Sequence, residues 1–298
     1  MISIIVPTYN REEFLEKTLE SYIHQKYVDE ILIINDGSTD STDKVLEDLR
    51  RKYVIIKIVK HDINKGLAAS RIDGILESKN DLILFGEDDV IFEKDYVEKL
   101  FNCLQQHNAA IVGGRVISKL ENETDDEALA RWNHLKLPLI DYRYFEGNFG
   151  VGTDKDVEVP FLHAIYLANK KVFKNVKLET YYKGNEYREE TDLQISVLKE
   201  GFKIVFCPGA ICYHLAKLIK NKGGGVHTMN KISYEYWTIK NNNLFLKRHH
   251  EFLRRSWIKK SRMIMAVDFA INRIFYYLIY RNIGRWCKNI LKNFSHRS

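Results

Sequence analysis

The sequence predicts an α/β fold: a mostly parallel sheet flanked by helices, with a helical extension at the C-terminal end. Three observations carry this. Short apolar runs such as EILIIN and LILF alternate with stretches of about 10–15 residues whose apolar positions repeat at helical spacing. Each run is long enough for a buried strand and is bounded by turn residues. Polar residues gather directly after the runs: Pro7, Thr8, Tyr9 and Asn10, then Asp36 and Gly37, His61 and Asp62, and Glu87 to Asp89. In a parallel sheet those carboxyl ends share one edge, where ligands bind.

In order, Ser3 to Val6 is an apolar run ended by Pro7, and Arg11 to Lys26 is a helix with Phe14, Leu15, Leu19, Tyr22 and Ile23 on one face. Glu30 to Asn35 is the second strand, DGSTDST a turn rich in helix-capping residues, and Asp43 to Tyr53 the second helix. Val54 to Val59 and Leu67 to Ser78 repeat the pattern. Leu82 to Phe85 is the fourth strand, followed by a helix from Asp95 to His107 and a strand from Ala109 to Val112. Gly113 to Phe149 reads as a long loop with an acidic part, LENETDDEAL, and aromatic residues including Trp132 and Tyr142. Tyr187 to Gly201 is a helix with Glu189, Glu190 and Asp192 at its start, where capping alone favours acids. Lys203 to Phe206 is a further strand.

Glu87, Asp88 and Asp89 repel one another. A cation relieves that repulsion, and hard oxygen ligands at a strand end suit Mn²⁺ or Mg²⁺ carrying a diphosphate. The alternative is a solvated acidic turn.

Composition bounds the rest. With 298 residues, 45% hydrophobic and 29% charged, the chain fits one elaborated domain or a domain with an appendage. From Glu251 to Ser298 there are eleven Lys or Arg against two acids, more than the whole net charge of +6. The body is therefore slightly acidic, which argues against nucleic acid as a partner. Cys103, Cys207, Cys212 and Cys287 match neither a disulfide framework nor a zinc pattern, so a reducing compartment is expected. The start, MISIIVPTYN, lacks the basic region and apolar run of a signal peptide.

The segments IVPTYNR, INDGSTDST, NKGLAASR and LFGEDD stand in the order and spacing of the family 2 glycosyltransferases, which the chain resembles from about Ile2 to His214. That resemblance implies the Rossmann-like GT-A fold, a nucleotide-sugar donor, most often a UDP-sugar, and inversion at the transferred sugar. Carried over residue by residue, it implies a nucleotide-binding set of Pro7, Thr8, Tyr9, Asp36, Arg71 and Asp88. Thr8 and Asp36 would lie against the base, and Asp88 by the ribose and diphosphate. Asp89 and His214 would be metal ligands for Mn²⁺ or Mg²⁺. Glu189 and Glu190 occupy the two positions of the family's acidic pair, and the second, Glu190, is where the family places its general base. Glu stands there where many relatives carry Asp, so the choice between Glu189 and Glu190 stays open. Many members read Arg-Asn where this chain has Arg71 and Ile72. Each role has a plainer reading: a turn residue for Asp36, a salt bridge for Arg71, a helix cap for the acidic pair, packing for His214. Phe161 to Phe173 resembles the segment beneath the sugar, with His163 either touching substrate or structural.

The expected organisation is a catalytic domain over residues 1–227 and a basic helical extension over 228–298. Lys217 to His227, with Gly223 to Gly225, reads as a loop able to close over the diphosphate. Tyr234 to His250 resembles a helix of members that act near membranes. Met263 to Ile283 is apolar but interrupted by Asp268, Arg273 and Arg281, too short an uncharged run to span a bilayer. Arg281, Arg285, Lys288 and Lys292 then alternate with Ile283, Trp286, Ile290 and Phe294, the pattern of a helix lying on an anionic membrane or packed on the protein. The expected activity is transfer of a sugar to a hydroxyl of a glycan or lipid-linked acceptor, in the cytoplasm or at the inner face of its membrane. A nucleotidyltransferase would carry a Gly-rich phosphate loop after the first strand, and PTYNREEF has no glycine. A catalytically silent nucleotide- or membrane-binding module would not need the acidic pair.

Overall fold

Strand β1 (Ile2–Thr8) carries the first apolar run and lies inside the sheet with both faces covered. Ile4 and Val6 enter one apolar cluster with Leu15 and Leu19; Ile5 enters another with Ile75 and Phe85. This two-sided burial is why the run is unbroken by polar residues. The structure, a computed structural model, describes residues 1–120, 122–215 and 229–275.

After β1 come α1 (Leu15–Ile23), β2 (Val28–Asn35), α2 (Thr42–Lys52), β3 (Ile56–Lys60), α3 (Leu67–Glu77), β4 (Leu82–Phe85), β5 (Val90–Phe92) and α4 (Tyr96–His107). Then follow β6 (Ile111–Ser118), α5 (Asp125–His134), the short strands β7 (Ile140–Asp141), β8 (Glu146–Gly147), β9 (Val157–Glu158) and β10 (Leu167–Asn169), and α6 (Glu189–Lys199), β11 (Ile204–His214), α7 (Lys231–Ser256) and α8 (Arg262–Phe275). The main sheet runs β3-β2-β1-β4-β10-β6-β11-β5, with β9 also on β11. Pairing is parallel from β3 through β4 and between β6 and β11; β10, β5 and β9 pair antiparallel. The parallel strands therefore deliver Thr8, Asp36, Glu87 and His214 to one edge.

Several boundaries differ from the sequence reading, each for a local reason. The first helix starts at Leu15, not Arg11, because the Arg11 N–H donates to Thr42 Oγ1 and its side chain turns to Asp88. Val54 is 98% exposed and outside β3. The strand expected to stop at Val112 continues to Ser118 through Gly113 and Gly114. These glycines do not break it: a Cβ at Gly114 would lie 2.2 Å from the Ala210 carbonyl oxygen, so glycine is what lets β11 bulge against β6. That bulge, between Cys207 and Ile211, absorbs Pro208 and carries β11 on to His214. Within the expected loop lie α5, held by a capping box at Thr124 and Glu127, and β7 and β8.

Helix α7 is longer than expected. Phe245, Leu246 and Leu253 join the same apolar cluster as Ile5 and Phe85. On α8, Met265 and Phe269 are buried while Met263, Ile264, Val267, Ile271, Ile274 and Phe275 face outward. Among the described residues no helix is long and apolar enough to cross a membrane. The glycine-rich loop after His214 and the basic helix beyond Arg281 lie outside the described residues.

Candidate active site

At the end of β4 successive carboxylates part company. Asp88 turns toward β1, where Oδ2 accepts from Thr8 Oγ1 at 2.8 Å and Oδ1 is 3.3 Å from Arg11 Nε. Glu87 and Asp89 turn the other way, to His214 at the end of β11: Nε2 is 3.4 Å from Asp89 Oδ1 and 3.9 Å from Glu87 Oε2. Donor atoms of Glu87, Asp89 and His214 all lie within 4.8 Å of one another. Asp89 and His214 thus stand together, and Glu87 joins them. Strand β5 sets this geometry by pairing Val90 directly with His214.

The electrostatics of this edge show an excess of acid. Burial, with the charge of Asp89 added, raises Glu87 and lifts Asp88 to about 7 against the opposing pull of Arg11. Burial alone would lower the His214 imidazole. The hydrogen bond to Asp89 and the charges of Asp89 and Glu87 outweigh it and raise His214 to about 9. The cluster thus holds a proton as counter-charge, and two carboxylates with an imidazole are a donor set that a divalent ion such as Mn²⁺ fits.

Asp36 anchors a second group. Oδ1 accepts from the Lys65 N–H at 2.8 Å and meets His61 Nδ1 at 2.7 Å, while Oδ2 accepts from the Gly66 N–H at 2.9 Å. Gly37 has φ +72°, and a Cβ there would lie 2.7 Å from Asn64 N, so the turn after β2 packs tightly on this loop. Asp36 and Thr8 are nearly buried, while Pro7 and Tyr9 are half-buried at the end of β1.

Arg71 lies beneath the site, 1% exposed, held in α3. Its Nη1 donates to Glu189 Oε2 at 2.8 Å, and Nη2 is 3.9 Å from Glu87 Oε1. Burial pushes Glu189 up to about 7, and Arg71 restrains the rise. Glu190, half-buried, is the more accessible member of the pair. Its charge acts on Arg71, His163 and Tyr166. His163 is pushed down to about 4, first by burial and then by His214. Its ring is 6.0 Å from that of His214 and its Nδ1 has no hydrogen-bond partner. His163 therefore stands where the carboxylate–imidazole cluster and the acidic pair meet.

The turn before α6 is strained. Glu186 and Arg188 have φ of +51° and +79°, a conformation that costs a non-glycine residue about 1–3 kcal/mol. Buried hydrogen bonds hold it: Arg188 donates to the Tyr144 and Phe145 carbonyls and to Asn242 Oδ1 on α7. One turn into α6, Asp192 accepts from Tyr182 and pairs with Arg248 and His249 of α7. Helix α7 therefore fixes the direction in which α6 presents Glu189 and Glu190.

Sequence reasoning put Glu87 in an acidic triplet suited to a cation but named only Asp89 and His214 as ligands; adjacent acids point to both sides of the chain, which groups Glu87 with Asp89. It also left out Arg11, Arg188 and the partners of Asp192, which no local pattern ties to the site, and it placed His61 at the strand-end edge without its contact to Asp36.

Comparison with known proteins identifies the family. Residues 3–164, more than half of the chain, match the family described as glycosyl transferase family 2. Glycosyltransferase GlyA of Streptococcus pneumoniae serotype 4 is 35% identical over 41% of this chain and 18% of its own length. The poly(ribitol-phosphate) beta-glucosyltransferase of Bacillus spizizenii is 29% identical over 39% of this chain and 19% of its own. These matches span less than a quarter of either relative. In structure, S. aureus TarS 1-349 in complex with UDP-GlcNAc superposes with a TM-score of 0.55 over 86% of this chain and 74% of that one, at 16% identity, which shows a shared fold. With more than half of its residues matching the family model, the chain belongs to glycosyl transferase family 2.

Proposed function

We propose that the chain moves a sugar from a nucleotide diphosphate to a hydroxyl acceptor in one inverting displacement. The observation that carries this is the cluster of Glu87, Asp89 and His214 with the His163 ring 6.0 Å from that of His214, and Glu190 close enough for its charge to act on His163. Glu190 takes the acceptor proton as the oxygen attacks the anomeric carbon. The bond to the diphosphate breaks, and its electrons leave with the nucleotide. Glu189, tied to Arg71, positions the helix start rather than reacting. Mn²⁺ or Mg²⁺, held by Glu87, Asp89 and His214, would offset charge on the departing diphosphate. Thr8, Asp36 and Asp88 shape the nucleotide side, with Pro7 and Tyr9 beside the base and Arg71 acting from below through Glu87. The structural neighbour TarS, solved with UDP and with UDP-GlcNAc, favours a UDP-sugar.

Mn²⁺ with UDP should raise the melting temperature by about 5 °C, because a ligand bound only to the folded state stabilises it. The shift should shrink from about pH 8 to about pH 6, because below about pH 9 the ion must displace the proton on His214, which is harder with each step down in pH. Asp89→Asn should lose the Mn²⁺-dependent part, and a shift unchanged in that variant would refute this use of the cluster.

The acceptor hydroxyl in this reading belongs to a glycan or lipid-linked glycan. The outward apolar side of α8 and the basic tail are the parts that would touch a membrane. Flotation with anionic vesicles should be lost on deleting Met263 to Ser298; flotation that survives the deletion would refute the contact.

A further inference from the structure

We infer that Cys103, His107 and Asp156, with Cys207 alongside, form a zinc-binding site on the face of the sheet covered by α4, separate from Glu87, Asp89 and His214. Cys103 and His107 lie one turn apart on α4 and share a face of the helix. Asp156 arrives from the segment entering β9, and ligand atoms of Cys103, His107 and Asp156 lie within 4.8 Å of one another. Cys207, on β11 just before the bulge, faces the same stretch of α4, its Sγ 4.0 Å from the Lys99 carbonyl oxygen one turn before Cys103.

No sequence spacing announced this site, because its donors come from three elements far apart in the chain. The fold supplies what the spacing lacked. Zn–S bonds of about 2.3 Å and Zn–N or Zn–O bonds of about 2.0–2.2 Å put tetrahedral donors roughly 3.3–3.8 Å apart, so side-chain adjustment suffices for Cys103, His107 and Asp156. A thiol with an imidazole and a carboxylate, and a second thiol alongside, is too soft a set for Mg²⁺ or Mn²⁺ and suits Zn²⁺. His107 Nε2 and Asp156 Oδ2, 2.8 Å apart, share a proton that the ion would replace. The thiols are 3% and 6% exposed, while the His107 and Asp156 side chains reach solvent at 33% and 24%, so the site opens on one side. Two adjacent thiols alone would suit a disulfide equally; the histidine and carboxylate at the same point favour metal. The ion would join α4, β9 and β11, fixing the start of the strand whose end carries His214.

Metal analysis of the full chain, purified under reductant in a His214→Gln background to disable the other cluster, should find one zinc ion per chain. The combined Cys103→Ser and His107→Gln variant should lose it with an unchanged circular dichroism spectrum. Chelation should lower the melting temperature of the parent by about 5 °C and leave that of the combined variant alone. Should that variant fail to fold, Co²⁺ decides: the parent should show thiolate-to-cobalt charge-transfer absorption, weakened by Cys207→Ser. A parent without zinc or a cobalt–thiolate band, zinc retained by the folded double variant, or a Cys103–Cys207 disulfide in the parent would each overturn the site.

Discussion

Glu190→Gln is expected to slow sugar transfer by about 10²–10⁴-fold while leaving nucleotide affinity within about a factor of two. The substitution keeps the side chain's size and removes its ability to accept a proton. The acceptor hydroxyl then has to attack before its proton has anywhere to go, and the loss falls on the chemical step. Nucleotide affinity is spared because the groups proposed to face the nucleotide, Thr8, Asp36 and Asp88, are held by partners other than Glu190. Glu189→Gln separates the two candidates. That change removes the carboxylate paired with Arg71 at 2.8 Å, so its effect should appear first in the melting temperature. Single-turnover rates with saturating donor, beside donor affinity by calorimetry, make the distinction. A Glu190→Gln enzyme with the parental rate would pass the role of base to another group.

The two acids differ because of what surrounds them, and this was only partly legible in the sequence. Apolar runs located the central strands, since burial on both faces leaves a run that no surface strand would carry. The same logic put the acids of the strand ends on one edge. It could not show that Asp36 spends its carboxylate on two backbone N–H groups and His61, because the loop it holds has no pattern of its own. Gly113 and Gly114 looked like a break because glycine is usually a turn residue, whereas here it makes room for the bulge in β11. Strand β10, three residues long, enters antiparallel between β4 and β6, and so short a segment carries no periodicity. Long-range partners were beyond reach for a simpler reason. Asp192 meets Arg248 and His249 only because α7 folds back across α6, and local propensity contains no such information.

Arg71→Met tests the pair beneath the site, where the largest loss of stability is expected. Arg71 and Glu189 are both at most 2% exposed, and removing one partner of such a pair costs about 3–5 kcal/mol because the other charge stays buried alone. At roughly 2–4 °C per kcal/mol, the melting temperature should fall by about 10 °C. The loss should also depend on pH with a definite sign. Burial already holds Glu189 at about 7, above its unfolded value, and without Arg71 it rises further. A raised carboxyl contributes its stability below the unfolded pKa and loses it as pH climbs through the folded one. The variant should therefore be closest to the parent near pH 5.5 and fall farthest behind near about pH 8.5. Adding Glu189→Gln removes the charge that Arg71→Met strands, so the double variant should recover part of the loss and most of the pH dependence. Melting curves of the four proteins across that range provide the check. A pH-independent deficit, or a double variant no better than Arg71→Met alone, would show that Arg71 serves packing against Phe85 rather than the charge of Glu189.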